Sequence, residues 1–238
     1  PALAPEQRLY QRLLSGDAGE ASALAEEELK SPGLTKYYDA IAMKALTLAH
    51  LDAARGRLPR DAQDELLATV HDVTATLAAH PLHPVPSEQR IPAAPESDVQ
   101  DSTPALGTSK SIGTPPYDLP TGLPVLCLAT RTALDEAAAH LLSQLLTKRG
   151  LTADVIGRTT TAQLMRDRLP TGGAIICLSY FGTDNPFHVR FLVRRLKRLS
   201  PETRIVAGFW MLGDDPAKVL EWQTSSGADF ATASLAQA

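Results

Sequence analysis

Hydrophobic residues recur every three or four positions through residues 5–80, a spacing that predicts amphipathic helices. Ala and Leu form most of the apolar stripes, and Glu fills much of the opposite face of the second helix. Turn residues divide the region into four helices joined by short loops, which favours a compact antiparallel bundle. The predicted helices run from Pro5 to about Ser15, from the cap Asp17 to the stop at Ser31-Pro32-Gly33, from about Thr35 to Ala54, and from Pro59 to about Ala79.

The pattern changes after residue 121, where short apolar runs rich in β-branched residues alternate with amphipathic stretches. This alternation predicts a doubly wound α/β domain with parallel strands. We expect a flavodoxin-like five-stranded sheet in the order 2-1-3-4-5, with a ligand crevice at the carboxyl ends of strands one and three. The predicted strands are Pro124–Ala129, Thr152–Ile156, Ala174–Ser179, Thr203–Met211 and Asp229–Thr232. The predicted helices are Ala133–Lys148, Thr161–Arg168, Pro186–Leu199 and Pro216–Thr224.

A proline-rich segment separates the two patterns, because residues 81–121 hold nine of the 18 prolines. Such a composition predicts a linker. We therefore predict an all-α four-helix cap over residues 1–80, a linker over 81–121 and the flavodoxin-like domain over 122–238. The cap has 8 Lys and Arg against 12 Asp and Glu, and the α/β domain has 13 against 10. This balance argues against a nucleic-acid partner, which normally requires a strong basic excess.

The composition is that of an ordinary globular protein, with 44% hydrophobic residues. No apolar run reaches the length of about 18 residues that a membrane-spanning helix needs. The cysteines, Cys127 and Cys177, each lie inside an apolar run and fall on neighbouring strands of the predicted sheet. We expect two inert buried thiols rather than a redox switch or a disulfide, in keeping with a reducing cytosol.

The loops at the predicted crevice lack the motifs of common enzymes. Residues 129–136 contain no glycine, so neither a dinucleotide fingerprint nor a P-loop fits there. Thr132 and Asp135 have the spacing of a capping box, which leaves a structural role and a ligand contact both open. Ser179 is not in a hydrolase elbow, and no histidine has metal-ligand spacing. We expect no catalysis, no metal and no cofactor; an enzymatic alternative would use Asp135, Ser179 or His188.

The third helix of the α/β domain carries the strongest charge feature of the chain. Its cations recur at intervals of about one helical turn, while apolar residues occupy the buried side. A solvated amphipathic face explains this pattern. The alternatives are an electrostatic contact with the acidic cap, an acidic partner or an anionic membrane surface. The cations of this electrostatic face are Arg190, Arg194, Arg195, Lys197 and Arg198.

With both halves laid out, the chain resembles the cobalamin-binding module, a helical cap over a flavodoxin-like domain. Three stretches are similar to the cap of that module: Leu14-Ser-Gly-Asp17, Tyr38-Asp-Ala-Ile-Ala-Met and Arg55-Gly56-Arg57. Ser179-Tyr180-Phe181 and Ala207-Gly208 occupy the places of that family's serine and glycine motifs. The resemblance implies this fold for the whole chain.

Most of the residues that would hold a corrin in that family are missing from this sequence. The Asp-x-His-x-x-Gly motif aligns with Asp135-Glu136-Ala137-Ala138-Ala139, which has no His to replace the lower axial base. The Trp of the cap falls near Ala53, and its Glu-His pair falls near Gln63-Asp64. We therefore expect that the fold is kept and that cobalamin binding through a histidine is lost.

A second resemblance covers nearly the whole chain. Four stretches are similar to the long cytoplasmic extension of some bacterial permeases of the autoinducer-2-exporter family. They are Pro5 to Asp17, Lys36-Tyr-Tyr-Asp-Ala, Ala49 to Gly56 and Val125–Ala129. In that family the extension follows the last membrane span. The resemblance implies a soluble domain of a longer membrane protein, at the cytoplasmic face of the bacterial inner membrane. The transport residues of the family lie in a membrane part that this sequence does not contain.

Together these features favour a non-catalytic regulatory or ligand-sensing domain of a bacterial permease. Its partners would be the membrane part of the same chain, a small anionic ligand or a second copy in a homo-oligomer. The alternative is a genuine cobalamin sensor or carrier with water or dimethylbenzimidazole as the lower ligand. Arg131 is the expected anion anchor, because a guanidinium beside a helix N-terminus can hold a carboxylate or phosphate. The candidate crevice comprises Thr130, Arg131, Asp135, Ser179, Tyr180, Phe181, Gly208 and Trp210.

Overall fold

The second half of the chain forms a fully parallel sheet. A computed structural model describes residues 3–29, 33–80, 82, 123–158, 169, 172–213 and 215–238, so the predicted linker and the predicted helix Thr161–Arg168 lie outside the described residues. The strand order is β2-β1-β3-β4-β5, which confirms the predicted flavodoxin-like order. The strands are β1 Val125–Ala129, β2 Ala153–Ile156, β3 Ile175–Tyr180, β4 Arg204–Phe209 and β5 Phe230–Thr232.

Helices cover both faces of this sheet, as its apolar strands require. Every residue of β1 is buried, which explains why its sequence has no polar position. The helices of the cap are α1 Pro5–Leu14, α2 Ala18–Glu28, α3 Gly33–Tyr37, α4 Met43–Ala54 and α5 Arg60–Thr76. Those of the α/β half are α6 Ala133–Lys148, α7 Phe187–Leu199 and α8 Pro216–Ser226.

The predicted third and fourth helices of the cap are less regular than their spacing suggested. A π-helical turn, Tyr38–Ala42, separates α3 from α4. A short 3₁₀ turn, Leu77–Ala79, follows α5, and Pro59 is the N-cap of α5 rather than its first residue. The wide π turn accompanies the burial of two consecutive aromatic side chains, Tyr37 and Tyr38, both about 1% exposed.

Helix α6 has the predicted bounds because its two ends are well marked in the sequence. The Thr132 side chain accepts a hydrogen bond from the N–H of Asp135, and the Asp135 carboxylate accepts one from the N–H of Thr132. This reciprocal pair is the predicted capping box. Gly150, just beyond the C-terminus, has φ of 87°, a conformation that favours glycine.

The cap and one face of the sheet share a hydrophobic core, and α6 lies between them. Its Ala137, Ala138 and Ala139 are fully buried, because the small side chains let the sheet approach on one side and α5 on the other. The remaining face of the sheet forms a second core with α7 and α8. Residues before 84 and after 121 consequently belong to one compact unit.

Polar contacts join the cap to the α/β half at several places. The Tyr38 hydroxyl donates to the side-chain oxygen of Gln144 on α6, and the Gln144 amide donates to the Thr74 carbonyl on α5. On the π turn, the Asp39 carboxylate accepts hydrogen bonds from the Ser234 hydroxyl and from the N–H groups of Leu235 and Ala236. These bonds fix the orientation of the cap over the sheet.

The two cysteines are as expected from their strands. Cys127 and Cys177 are register partners on β1 and β3, and both are buried free thiols. Within the described ranges, no helix is sufficiently long and apolar to cross a membrane. The described part of the chain also brings no three His, Cys, Asp or Glu side chains together in a metal-binding group.

Candidate functional site

A cleft with a volume of about 500 Å³ lies between the cap and the carboxyl end of the sheet. Helices α4 and α5 form its upper side, and the loops after β1 and β3 form its lower side. It therefore opens at the position expected for a ligand in a doubly wound fold. The lining residues are His50, Ala53, Ala54, Arg60, Gln63, Asp64, Arg131, Thr132, Ala133, Leu134, Asp135, Arg158, Tyr180 and Gly182.

Asp135 holds the two loops together and is the centre of what we name the cleft floor, Thr130, Asp135 and Phe181. One carboxylate oxygen accepts a hydrogen bond from the N–H of Phe181 at 2.9 Å, in the loop after β3. The other accepts from the Thr130 hydroxyl at 3.1 Å and from the N–H groups of Arg131 and Thr132 at 2.9 and 2.8 Å. The Thr130 hydroxyl also contacts the Ser179 carbonyl oxygen at 2.9 Å.

The environment of Asp135 shows that its carboxyl group serves the fold. The residue is 1% exposed, and burial raises its pKa, while the donated hydrogen bonds oppose that rise. Three of its four donors are backbone N–H groups that have no other acceptor at this place. Both carboxylate oxygens are thus occupied, which confirms the structural role, while the ligand contact stays a prediction.

Two arginines line the cleft beside this floor, in what we name the cleft wall, His50, Arg60 and Arg131. Arg60 begins α5, and Arg131 lies in the loop after β1; both are exposed. Among the described residues, neither guanidinium forms an ion pair with a carboxylate. Arg131 lies beside the Tyr180 hydroxyl, which itself donates to the Asn185 carbonyl at 3.0 Å.

His50 on α4 contacts the floor through its ring. Its ring stacks on Phe181, with the centroids 5.8 Å apart and the planes at 27°. Burial lowers the pKa of His50, and the Asp135 and Asp184 carboxylates oppose this effect. The imidazole is therefore neutral near pH 7 and gains a positive charge only in acid.

Arg158, which follows β2, closes one end of the cleft. Its guanidinium contacts Asp64 of α5 at 2.8 Å and Glu136 of α6 at 2.9 Å. The charge of Arg158 is thus matched by two carboxylates, whereas Arg60 and Arg131 have none within the described ranges. The electrostatic balance of the cleft favours an anion near these two arginines.

The structure brings only part of the predicted crevice to the cleft. Arg131, Asp135 and Tyr180 line it, and Thr130 lies directly behind Asp135. The other four candidates do not line the cleft. They are the buried residues Ser179, Phe181, Gly208 and Trp210.

Sequence reasoning missed His50, Arg60 and Arg158, which line the cleft. His50 and Arg60 belong to the cap, and their positions depend on how the cap docks on the sheet. The alignment with the cobalamin-binding cap did contain a signal, because Ala53, Gln63 and Asp64, which it marked, all line the cleft.

The buried candidates lie against side chains of the chain itself. A Cβ atom on Gly208 would collide with the indole ring of Trp210, so the chain's own side chain fills the space in front of this glycine. Among the described residues, the Ser179 hydroxyl and the Trp210 N–H are buried without a hydrogen-bond partner. No histidine occurs between Asp135 and Ala139. The loss of cobalamin binding through a histidine stays a prediction.

The predicted electrostatic face lies on α7, away from the cleft. Lys197 forms an ion pair with Asp229 at 2.7 Å and so is engaged within the α/β half. Among the described residues, the four arginines of the face make no ion pair with the cap. Within the part of the chain that the structure describes, no ion pair supports the cap as the electrostatic partner of this face.

No protein-family model matches the chain, and no match is found among the curated proteins. Among solved structures, the chain is similar to a cobalamin-binding protein from Desulfitobacterium hafniense DCB-2. The two sequences are 13% identical, the match covers 99% of this chain and 95% of that chain, and the TM-score is 0.37. A likeness this distant carries no conclusion about a ligand. The fold assignment rests on the strand order and on the position of the helices.

Proposed function

We propose that this chain is a non-catalytic sensing domain that binds a small anion in the cleft between its cap and its sheet. The observation that carries the proposal is the pair Arg60 and Arg131, two cations that line a cavity of about 500 Å³ and lack a carboxylate partner among the described residues. Because one comes from the cap and the other from the sheet, a bound anion bridges the two halves.

Two further features support an anionic ligand. Ala133 and Leu134, in the first turn of α6, line the cleft, so the positive end of a helix dipole of 16 residues faces the same space. The guanidinium groups can each donate two parallel hydrogen bonds to a carboxylate or a phosphate. A molecule with two acidic groups, such as a dicarboxylate or a diphosphate, matches two separate arginines.

The chemistry of the cleft supports sensing rather than catalysis. Both oxygens of Asp135 accept hydrogen bonds from the loops, so this carboxylate is not available as a general base. Among the described residues, the buried Ser179 hydroxyl has no hydrogen-bond partner. In the described part of the chain, His50 stacks on Phe181 and makes no hydrogen bond to a carboxylate. The described residues therefore offer no nucleophile, base and orienting group within hydrogen-bond reach of one another, which supports a sensing role.

Calorimetric titration with inorganic pyrophosphate and citrate tests this proposal. We expect saturable binding of at least one of these anions, and we expect Arg60→Gln and Arg131→Gln each to weaken it about tenfold, as the loss of a charge-assisted contact does. The matched control is Lys36→Gln with Arg149→Gln, which removes two exposed cations outside the cleft. Equal affinity in the cleft variants, or no saturable binding by the native protein, contradicts the proposal.

The resemblance to autoinducer-2-exporter permeases extends the proposal. In this extension the domain belongs to a longer membrane protein, faces the cytoplasm and changes the activity of the permease when the anion binds. An antibody against this domain tests it in the native organism. Detection in the membrane fraction after an alkaline wash, at a mass well above 25.5 kDa, is the expected result. A band of about this mass in the soluble fraction contradicts the extension.

Cobalamin binding without a histidine ligand is the competing proposal. The position of the cleft between a helical cap and the sheet favours it, whereas the Trp210 indole in front of Gly208 opposes it. Gel filtration after incubation with hydroxocobalamin separates the two. We expect the visible absorbance to elute with the free cofactor. A stoichiometric coloured protein peak would favour cobalamin binding over the binding of a small anion.

A further inference from the structure

Helix α7 presents aromatic and basic side chains together on its outer side. Phe187 and Phe191 are 65% and 70% exposed, while the phenylalanines Phe181 and Phe209 are at most 1% exposed. Exposed phenylalanine rings are unusual on a solvated helix and mark surfaces that contact another apolar phase.

The arginines of α7 continue the same outer stripe. Phe187, Phe191, Arg194 and Arg198 are spaced i, i+4, i+7 and i+11, which places them along one side of the helix. Helix α7 contains no acidic residue. Among the described residues, none of Arg190, Arg194, Arg195 and Arg198 has a carboxylate partner. The stripe therefore needs an anionic occupant that also accepts two phenyl rings.

A basic groove lies beside this stripe, between α7 and the C-terminal end of α8. Its volume is about 440 Å³, and cations line one side of it. The Thr224 and Ser225 hydroxyls on the other side donate to carbonyl oxygens of their own helix. The cations are therefore the groups that would bind a phosphate in this groove. The lining cations are Arg190, Arg194, Lys197 and Arg198.

We propose that α7 docks on a lipid bilayer that contains anionic phospholipids. Phe187 and Phe191 enter the interface between headgroups and acyl chains, while Arg194 and Arg198 bind headgroup phosphates at its surface. A bilayer fits better than an acidic protein, because the two rings are largely exposed and stand beside the basic groove rather than in its lining. The proposal concerns a surface remote from the cleft and does not depend on the proposed ligand.

Vesicle flotation tests this docking surface. The native protein is mixed with vesicles of phosphatidylcholine alone, or of equal parts phosphatidylcholine and phosphatidylglycerol. We expect flotation only with the anionic vesicles, and less of it as salt is raised, because salt screens the arginines. Each basic residue near an anionic surface strengthens partitioning about fivefold, so Arg194→Gln with Arg198→Gln lowers it by at least about tenfold.

The aromatic pair and a matched control complete the test. Phe187→Ser with Phe191→Ser alters only exposed side chains, so the fold remains, and we expect partitioning to fall at least about tenfold. Lys36→Gln with Arg149→Gln removes the same charge elsewhere and leaves flotation unchanged. Native-like flotation of the phenylalanine variant overturns the proposal. If no sample floats and the native protein instead binds polyglutamate through these arginines, the face binds an acidic protein, and the proposal of membrane docking is also overturned.

Discussion

The floor and the wall of the cleft contain oppositely charged groups that serve different purposes. On the floor, the Asp135 carboxylate accepts four hydrogen bonds and is buried beneath the loops it joins. On the wall, Arg60 and Arg131 are exposed and have no carboxylate partner among the described residues. The difference indicates that the Asp135 carboxylate stabilises the fold, whereas the Arg60 and Arg131 guanidinium groups remain available to a ligand.

Removal of the floor carboxylate has the largest expected effect. Asp135→Ala leaves three backbone N–H groups without their acceptor, at about 1–3 kcal/mol each, so we expect the free energy of unfolding to fall by about 5 kcal/mol. Asp135→Asn, which keeps an acceptor oxygen, loses less. Urea denaturation measures both variants.

Asp64→Ala is the control for that experiment, because Asp64 lines the same cleft but is exposed and pairs with Arg158. A partly exposed ion pair contributes little, so the expected loss is at most about 1 kcal/mol. If Asp135→Ala and Asp64→Ala have equal stability, Asp135 does not hold the floor together.

Trp210 is buried near the floor but does not line the cleft. Its variants therefore test the contribution of packing to stability apart from ligand binding. Trp210→Ala leaves a cavity against Gly208, and we expect a loss of about 4 kcal/mol in unfolding free energy. Trp210→Phe removes an N–H that has no hydrogen-bond partner in the described part of the chain and keeps an aromatic ring, so the unfolding free energy falls by less than about 1.5 kcal/mol.

The anion affinity of the same Trp210 variants shows whether Trp210 contributes to binding as the wall residues do. Because the indole does not line the cleft, we expect Trp210→Phe to bind pyrophosphate or citrate like the native protein. Weakened binding in this conservative variant would mean that the ligand reaches behind the floor, and the assignment of the wall would be wrong.

The stability of the folded protein depends on pH through the wall residue His50. Its pKa in the folded protein lies below the unfolded value of about 6.5, so the unfolded chain binds more protons in acid and stability falls as the pH drops below that value. His50→Gln removes this contribution, and we expect a shallower loss of stability between about pH 7 and pH 5.

The same protonation adds a positive charge to the wall, so we expect sulfate, whose charge is constant in this range, to bind more tightly in acid. His188→Gln changes an exposed histidine on α7 and serves as control for both readouts. If His188→Gln flattens the profile as much as His50→Gln does, the effect does not belong to the cleft.

Local signals in the sequence were sufficient for most of the fold. Thr132, Asp135 and Gly150 define α6 through backbone chemistry that is independent of the rest of the molecule. The predicted strand order came from the alternation of strands and helices together with the flavodoxin-like order of the doubly wound class, and the structure confirms it. The π turn at Tyr38–Ala42 could not be predicted, because it accompanies the packing of Tyr37 and Tyr38 within the folded cap.

The site was harder to predict because it depends on side-chain direction and on the docking of the cap. Ser179 and Gly208 are at the expected ends of their strands, yet their side of the sheet faces the core that Trp210 fills. His50 and Arg60 belong to helices whose apolar spacing identifies the buried side but not which end meets the sheet. The run Ala137 to Ala139 was a visible signal that α6 is covered on two sides.

The double variant Arg60→Gln with Arg131→Gln tests the central claim most directly. Both side chains are exposed, so we predict an unfolding free energy within about 0.5 kcal/mol of the native value when no anion is present. We also predict that saturating pyrophosphate or citrate, which raises the native melting temperature, no longer raises that of the variant. An unchanged ligand-induced shift, or a variant that is strongly destabilised without ligand, would contradict the claim that the wall is free to bind an anion.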